Sequence, residues 1–261
     1  MEAYGICHLP VVPVRAEASE RSEMVNQLLF GETFEITDAF RGWKLIRGTL
    51  DKYEGFIGEK QFAAIGTEDF KSHYAHADRF SDRLITAVKD EITGLHLHLL
   101  PGSSMRGFNE GHFRLGNLHF SCEASLSSPA ENADRGKLVA FARNFLNAPY
   151  LWGGRSLFGI DCSGLVQVVF KVHGILMQRD ASYQAQQGET LSLMHEAMPG
   201  DLAFFDNEEG LITHVGIISG EGTIIHASGQ VREDALDHQG IFNRQLKKYT
   251  HKMRLLKRII Q

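Results

Sequence analysis

The chain has 261 residues, 43% apolar and 23% charged, with 26 glycines, 6 prolines and a formal net charge of −5. That balance gives no field that would draw nucleic acid or an anionic membrane surface, and no run reaches the ~18–20 apolar residues of a spanning helix. Cys7, Cys122 and Cys162 are odd in number and widely spaced, which argues against a disulfide framework and against a structural zinc site.

The first nine residues lack the basic start and apolar core of a secretory leader. As written the chain is expected to be cytoplasmic; a trimmed leader would make it periplasmic or exported. Short β-type runs follow at Ala3–Leu9, Phe34–Asp38, Trp43–Leu50, Tyr53–Ile57, Ile85–Ile92, Gly94–Leu100 and Leu118–Glu123. Turn signals separate them, and so many short strands predict small barrels or sandwiches. His96 and His98 alternate on one of these strands and are read as a solvated face, since no third metal ligand accompanies them.

Ala124–Asn132 reads as a linker. Beyond it, Asp134–Asn147 has helical apolar spacing, Cys162–His173 follows the N-cap residue Asp161, and Asp180–Gln187 reads as a short third helix. From Leu202 the pattern turns to strands, at Leu202–Phe205, Ile212–Ser219, Gly222–Ala227 and Lys252–Ile259. The basic residues near the end, including Lys257 and Arg258, read as the solvated face of the last strand. Helices followed by an antiparallel sheet predict an α+β domain.

Of the three cysteines, only Cys162 stands in the first turn of a capped helix. There the dipole and unpaired N–H groups are expected to lower the thiol pKa. A thiol nucleophile needs a base and a group to orient it. A hairpin centred on Gly220 would set His214 directly opposite His226, within imidazole reach. Each histidine taken alone is also satisfied by a core or surface role.

Tyr150-Leu151-Trp152-Gly153-Gly154, Asp161-Cys162-Ser163-Gly164-Leu165, Pro199-Gly200-Asp201-Leu202 and His214-Val215-Gly216-Ile217 occur in that order. Together they resemble the NlpC-type cell-wall peptidases, over roughly residues 130–261. The resemblance implies a circularly permuted papain-like fold and a triad of Cys162, His214 and His226 acting on stem peptides of peptidoglycan, with no metal or other cofactor.

The segments Gly154–Ile160 and Arg179–Ser182 are similar to the γ-D-glutamyl-L-diamino-acid peptidases, also called dipeptidyl-peptidase VI. These release L-alanyl-γ-D-glutamate from peptides whose L-alanine is unblocked. By that resemblance Asp161, Ser163, Asp180, Ser182 and Trp152 line the substrate site, and a carboxylate there suits the free α-amino cation. Asp180 is equally suited to capping a helix.

The same subfamily carries SH3-like barrels, to which Ser22–Gln27, Phe30–Glu32, Trp43–Ile46 and Tyr53–Ile57 are similar. The implied organisation is barrels at 1–63 and 64–127 and a peptidase domain at 128–261. Tyr53 and Glu23 are then expected to wall the substrate site; a barrel aromatic and a solvated carboxylate are the plainer readings. Two alternatives share these residues: an exported endopeptidase of intact wall, and an inert wall-peptide binding module. Oligomeric state, and diaminopimelate against lysine, are not set by the sequence.

Overall fold

The computed structural model describes residues 4–76, 79–124, 126 and 133–260. Most of the expected linker Ala124–Asn132 lies outside the described residues. The chain divides into two compact units, Met1–Pro129 and Ala130–Gln261. No described helix is long and apolar enough to cross a membrane.

In the first unit the initial sheet is built from β1 (Tyr4–Ile6), β2 (Val11–Arg15), β3 (Met24–Leu29), β4 (Thr33–Phe40), β5 (Trp43–Gly48), β6 (Glu54–Gly58) and β7 (Ala63–Ile65). Their order is β3-β2-β6-β5-β4-β1-β7. Alternation does the work expected of a half-buried sheet: Val12 and Val14 point inward from β2 and join Cys7, Leu28, Phe34, Ile46 and Ile57 in one core. Helix α1 (Thr67–Tyr74) then leads to β8 (Thr86–Asp90), β9 (His96–Leu99), β10 (His112–Leu115) and β11 (Leu118–Ser121).

These last four strands form a separate sheet in the order β10-β11-β8-β9. Its core of Val88, Leu99, Phe113, Leu115 and Phe120 is completed by Ile6 and Ile65 from the first sheet and by Phe30 in the turn after β3. The residues expected to make a second barrel thus form a four-stranded sheet that shares its core with the first. Cys7 and Cys122 are buried core thiols, and His96 and His98 lie on an exposed strand face.

The second unit opens with α2 (Arg135–Arg143), capped by Asp134, whose carboxylate accepts from Lys137 N at 2.9 Å. A two-residue ribbon, β12 (Arg155–Ser156) with β13 (Gly159–Ile160), precedes α3 (Cys162–Val172). Every residue of α3 is buried, which marks a helix enclosed on all sides. The short α4 (Ala181–Gln184) follows, and β14 (Glu189–Leu191) leads into the sheet.

The remaining strands are β15 (Leu202–Asp206), β16 (Ile212–Gly220), β17 (Thr223–Ser228), β18 (Gln230–Asp237), β19 (Gly240–Asn243) and β20 (Lys248–Arg258). Their order is β14-β20-β15-β16-β17-β18-β19, and β19 also pairs with β20, so six strands close on themselves. Helix α3 packs against β16 and β17.

The β16–β17 turn is centred on Glu221-Gly222, not on Gly220: Gly222 takes the left-handed conformation (φ +65°), and Gly220 pairs with Thr223. Ser219 is accommodated as an irregularity in the ladder, its hydroxyl bonded to Thr223 Oγ1 and Glu233 Oε1. Gly216 therefore faces His226, and His214 stands diagonally from it. Because the displacement is two residues, both histidines keep the same face.

The end of β20 is not a solvated basic face. Lys257 is buried with its ammonium on Thr190 Oγ1, and Arg258 binds the fully buried Asp201 at 2.9 Å. Arg135 reaches the same carboxylate at 2.8 Å, so the aspartate of Pro199-Gly200-Asp201 ties α2 to the final strand.

Candidate active site

Asp161 sets the start of α3. Its Oδ1 accepts from Gly164 N at 2.6 Å, and its Oδ2 accepts from Gly153 N at 2.8 Å. The glycine of the Asp-Cys-Ser-Gly motif has a packing reason, because a Cβ at 164 would sit 2.3 Å from Gly154 O. The loop bearing Trp152 is thereby drawn against the helix start, with the indole itself 58% exposed.

Cys162 is the first residue of the helix and is 6% exposed. As such its N–H is among those with no acceptor inside the helix. The N–H groups of Val215 and Ser163 point at its sulfur, yet the thiol is pushed up to about 12, first by burial and then by the Asp161 charge. The expected lowering by the helix start is thus outweighed by desolvation. The bond from Val215 brings the cysteine beside His214, the preceding residue on β16.

His214 is buried, and its Nε2 lies 2.9 Å from His226 Nδ1. The diagonal placement across the ladder is within imidazole reach. Burial, then His251, then His226 hold His214 well below its ordinary pKa. Thiol and imidazole are accordingly both neutral at rest.

His251, on β20, stacks on His214 with ring centroids 4.1 Å apart and an interplanar angle of 22°. Its own pKa falls to about 4 through burial and the nearby His226. The nitrogens of His214, His226 and His251 lie within 4.8 Å of one another. In this arrangement the rings of His214 and His251 lie face to face. His214 and His226 also occupy one another's facing nitrogens.

Around the helix start, Arg179 is buried and grips Asp161 through Nη1–Oδ1 at 3.0 Å and Nη2–Oδ2 at 2.5 Å, with Nη1 also donating to Ser163 Oγ at 2.8 Å. Gln184 donates to Ser163 O at 3.0 Å, which ties α4 to the same place. Asp180 is half-buried at the N-cap position of α4 but makes no side-chain capping bond, and Ser182 is exposed on that turn.

The structure thus sets Cys162 against the Val215 N–H of β16 and bonds His214 to His226, while Arg179 and Gln184 bring the Asp180–Ser182 turn to Asp161 and Ser163. Tyr53 and Glu23 belong to the first unit, Tyr53 half-buried just ahead of β6 and Glu23 exposed just ahead of β3. Three residues near Cys162 and the histidines are not singled out by sequence reasoning: Tyr150, Arg179 and His251. The Tyr150 phenol is raised to about 12, first by burial and then by the charges of Cys162 and Asp161. Arg179 carries the one usable signal, a cation next to Asp180 in a segment with a buried acid to match.

Residues 147–252 match the NlpC/P60 family, and residues 14–62 match the bacterial dipeptidyl-peptidase Sh3 domain. The chain carries an NlpC/P60 domain and is a cysteine peptidase. The chain is 27% identical over 238 residues to a gamma-D-glutamyl-L-lysine dipeptidyl-peptidase of Bacillus cereus, covering 79% of this chain and 68% of that one. It is 26% identical over 254 residues to dipeptidyl-peptidase 6 of Lysinibacillus sphaericus, covering 88% and 90% of the two chains. The crystal structure of an NlpC/P60 family protein from Bacillus cereus has the same fold, with a TM-score of 0.83 at 16% identity over 99% of this chain and 100% of that one.

Proposed function

We propose that this NlpC/P60 peptidase hydrolyses the γ-D-glutamyl–L-diamino acid bond of peptidoglycan stem peptides whose N-terminal L-alanine is free, as a step in cell-wall peptide recycling. The buried relay of Cys162, His214 and His226 carries the reading. Cys162 Sγ passes its proton to His214 and attacks the γ-glutamyl carbonyl, and the N–H of Cys162 is positioned to steady the oxyanion. The tetrahedral adduct collapses to a thioester as the diamino acid leaves with the proton from His214. Water, deprotonated by His214, then releases L-Ala-γ-D-Glu and restores the thiol.

The substrate assignment is supported by a relative named for a γ-D-glutamyl–L-lysine bond, which aligns over 79% of this chain and so beyond the catalytic unit alone. Within the second unit the charge of Asp161 is matched by Arg179, and Asp180, at the start of the neighbouring α4 turn, is the carboxylate we assign to the α-ammonium group. The sequence of parts, a cysteine helix ahead of a closed antiparallel sheet bearing the histidines, supports the circularly permuted papain-like reading.

The test compares L-Ala-γ-D-Glu-diaminopimelate and the corresponding lysine peptide, each with and without an N-acetyl group. Cleavage of the free peptides is expected at the γ-glutamyl bond, with acetylation lowering kcat/KM roughly 100-fold or more through loss of the charge-assisted bond. Equal rates for free and blocked peptides would refute the free-amine requirement, and release of fragments from intact sacculi would favour the wall endopeptidase instead.

A further inference from the structure

The Cys162–His214–His226 relay has a continuation. His226 Nε2 lies 3.2 Å from Asp234 Oδ2, and Asp234 is only 7% exposed. Strand register explains the meeting: Arg232 on β18 faces His226 directly, and Asp234, two residues on, shares that face. Arg232 clasps the carboxylate through Nε–Oδ2 at 2.5 Å and Nη2–Oδ1 at 3.0 Å. Burial works to raise the Asp234 pKa, but the bonds from His226 and Arg232 together hold it below the ordinary value.

An ionised carboxylate only accepts hydrogen bonds, so the proton between Asp234 and His226 resides on His226 Nε2. Burial keeps His226 neutral despite Asp234, and a neutral imidazole has a single N–H. Its Nδ1 is therefore a bare acceptor. The partner 2.9 Å away, His214 Nε2, must donate. His214 is neutral too, so its Nδ1 is left without a proton as the basic nitrogen of the relay.

We propose that Asp234, clasped by Arg232, is a positioning residue that fixes the order of protons along His226 and His214 and so keeps a basic nitrogen on His214 for the thiol. The proposal rests on the reading of Cys162 as nucleophile and His214 as base. Without the carboxylate His226 is free to carry its proton on Nδ1. It would then donate to His214 Nε2 and place the His214 proton on the nitrogen that has to accept one. Outer partners of a working histidine are generally worth roughly 10- to 100-fold.

The experiment labels the histidines with 15N and reads their tautomers at neutral pH in the full-length enzyme, in wild type and in Asp234→Asn. In wild type both His214 and His226 are expected as Nε2–H forms; Nδ1–H on either overturns the proposal without any variant having to fold. Asparagine turns a donor toward either His226 or Arg232, so the variant is expected to show a mixed His226 tautomer. Its kcat should fall roughly 10- to 100-fold with KM changed by less than about 2-fold, and Asp234→Glu should recover part of the loss. A folded Asp234→Asn with wild-type kcat and wild-type tautomers overturns it as well. Cys162→Ala leaves the tautomers as predicted while testing the nucleophile itself, which keeps the two failures distinguishable.

Discussion

Replacing Cys162 by alanine is expected to lower kcat by about 10⁴-fold or more while leaving the fold intact. In the proposed mechanism Cys162 is the nucleophile, and cooperating catalytic sets lose nearly everything with their first member. The fold is insulated from the change for a local reason. The helix start is fixed by Asp161 through Gly164 N and Gly153 N, not by the sulfur. The side chain is small and buried, so its truncation costs about 1 kcal/mol or less of packing. Hydrolysis assays and thermal unfolding on the same preparation check both halves. His214→Ala should match the loss in kcat, and the double variant should be little worse than either.

Replacing Arg179 by alanine is expected to act the other way, on stability first, with a loss of about 3–5 kcal/mol in denaturant unfolding. Arg179 and Asp161 have side chains only 2% and 6% exposed and share two bonds. Removing the cation leaves a buried carboxylate without its counter-charge, at the residue that caps the cysteine helix. Asp161 cannot relax outward, since its oxygens also hold two backbone N–H groups. The pairing of Arg179→Met with Asp161→Asn should recover most of the loss, because it removes both charges and retains a capping side chain. An unfolding free energy of the single variant within about 1 kcal/mol of wild type would show that the pair does not organise this end of the helix.

The parts of the site that were readable in the sequence are those decided locally. A capping aspartate ahead of an apolar helix announced α3, and β-branched runs announced β16 and β17. The register between those strands was not readable, because the irregularity at Ser219 is held in part by Glu233 on a third strand. Strand β18 was invisible for a related reason: Gln230–Asp237 is mostly polar, and one of its buried residues, Asp234, is a charge kept inside by Arg232 and His226. Pro13 interrupts the pattern of β2, and α1 buries only His73, so neither shows its period. The thiol pKa depends on enclosure by distant elements, which no local motif conveys. His251 comes to His214 from the far end of the chain, in a run otherwise noted only for its lysines and arginines.

The central claim is that Cys162 forms a thioester with the γ-glutamyl carbonyl. It is tested most directly by acid-quenching the enzyme during turnover of L-Ala-γ-D-Glu-diaminopimelate and mapping its peptides by mass spectrometry. The prediction is an L-Ala-γ-D-Glu adduct on the peptide containing Cys162, formed before steady state and absent from Cys162→Ala. An adduct on Cys7 or Cys122, or undiminished turnover in Cys162→Ala, would contradict it.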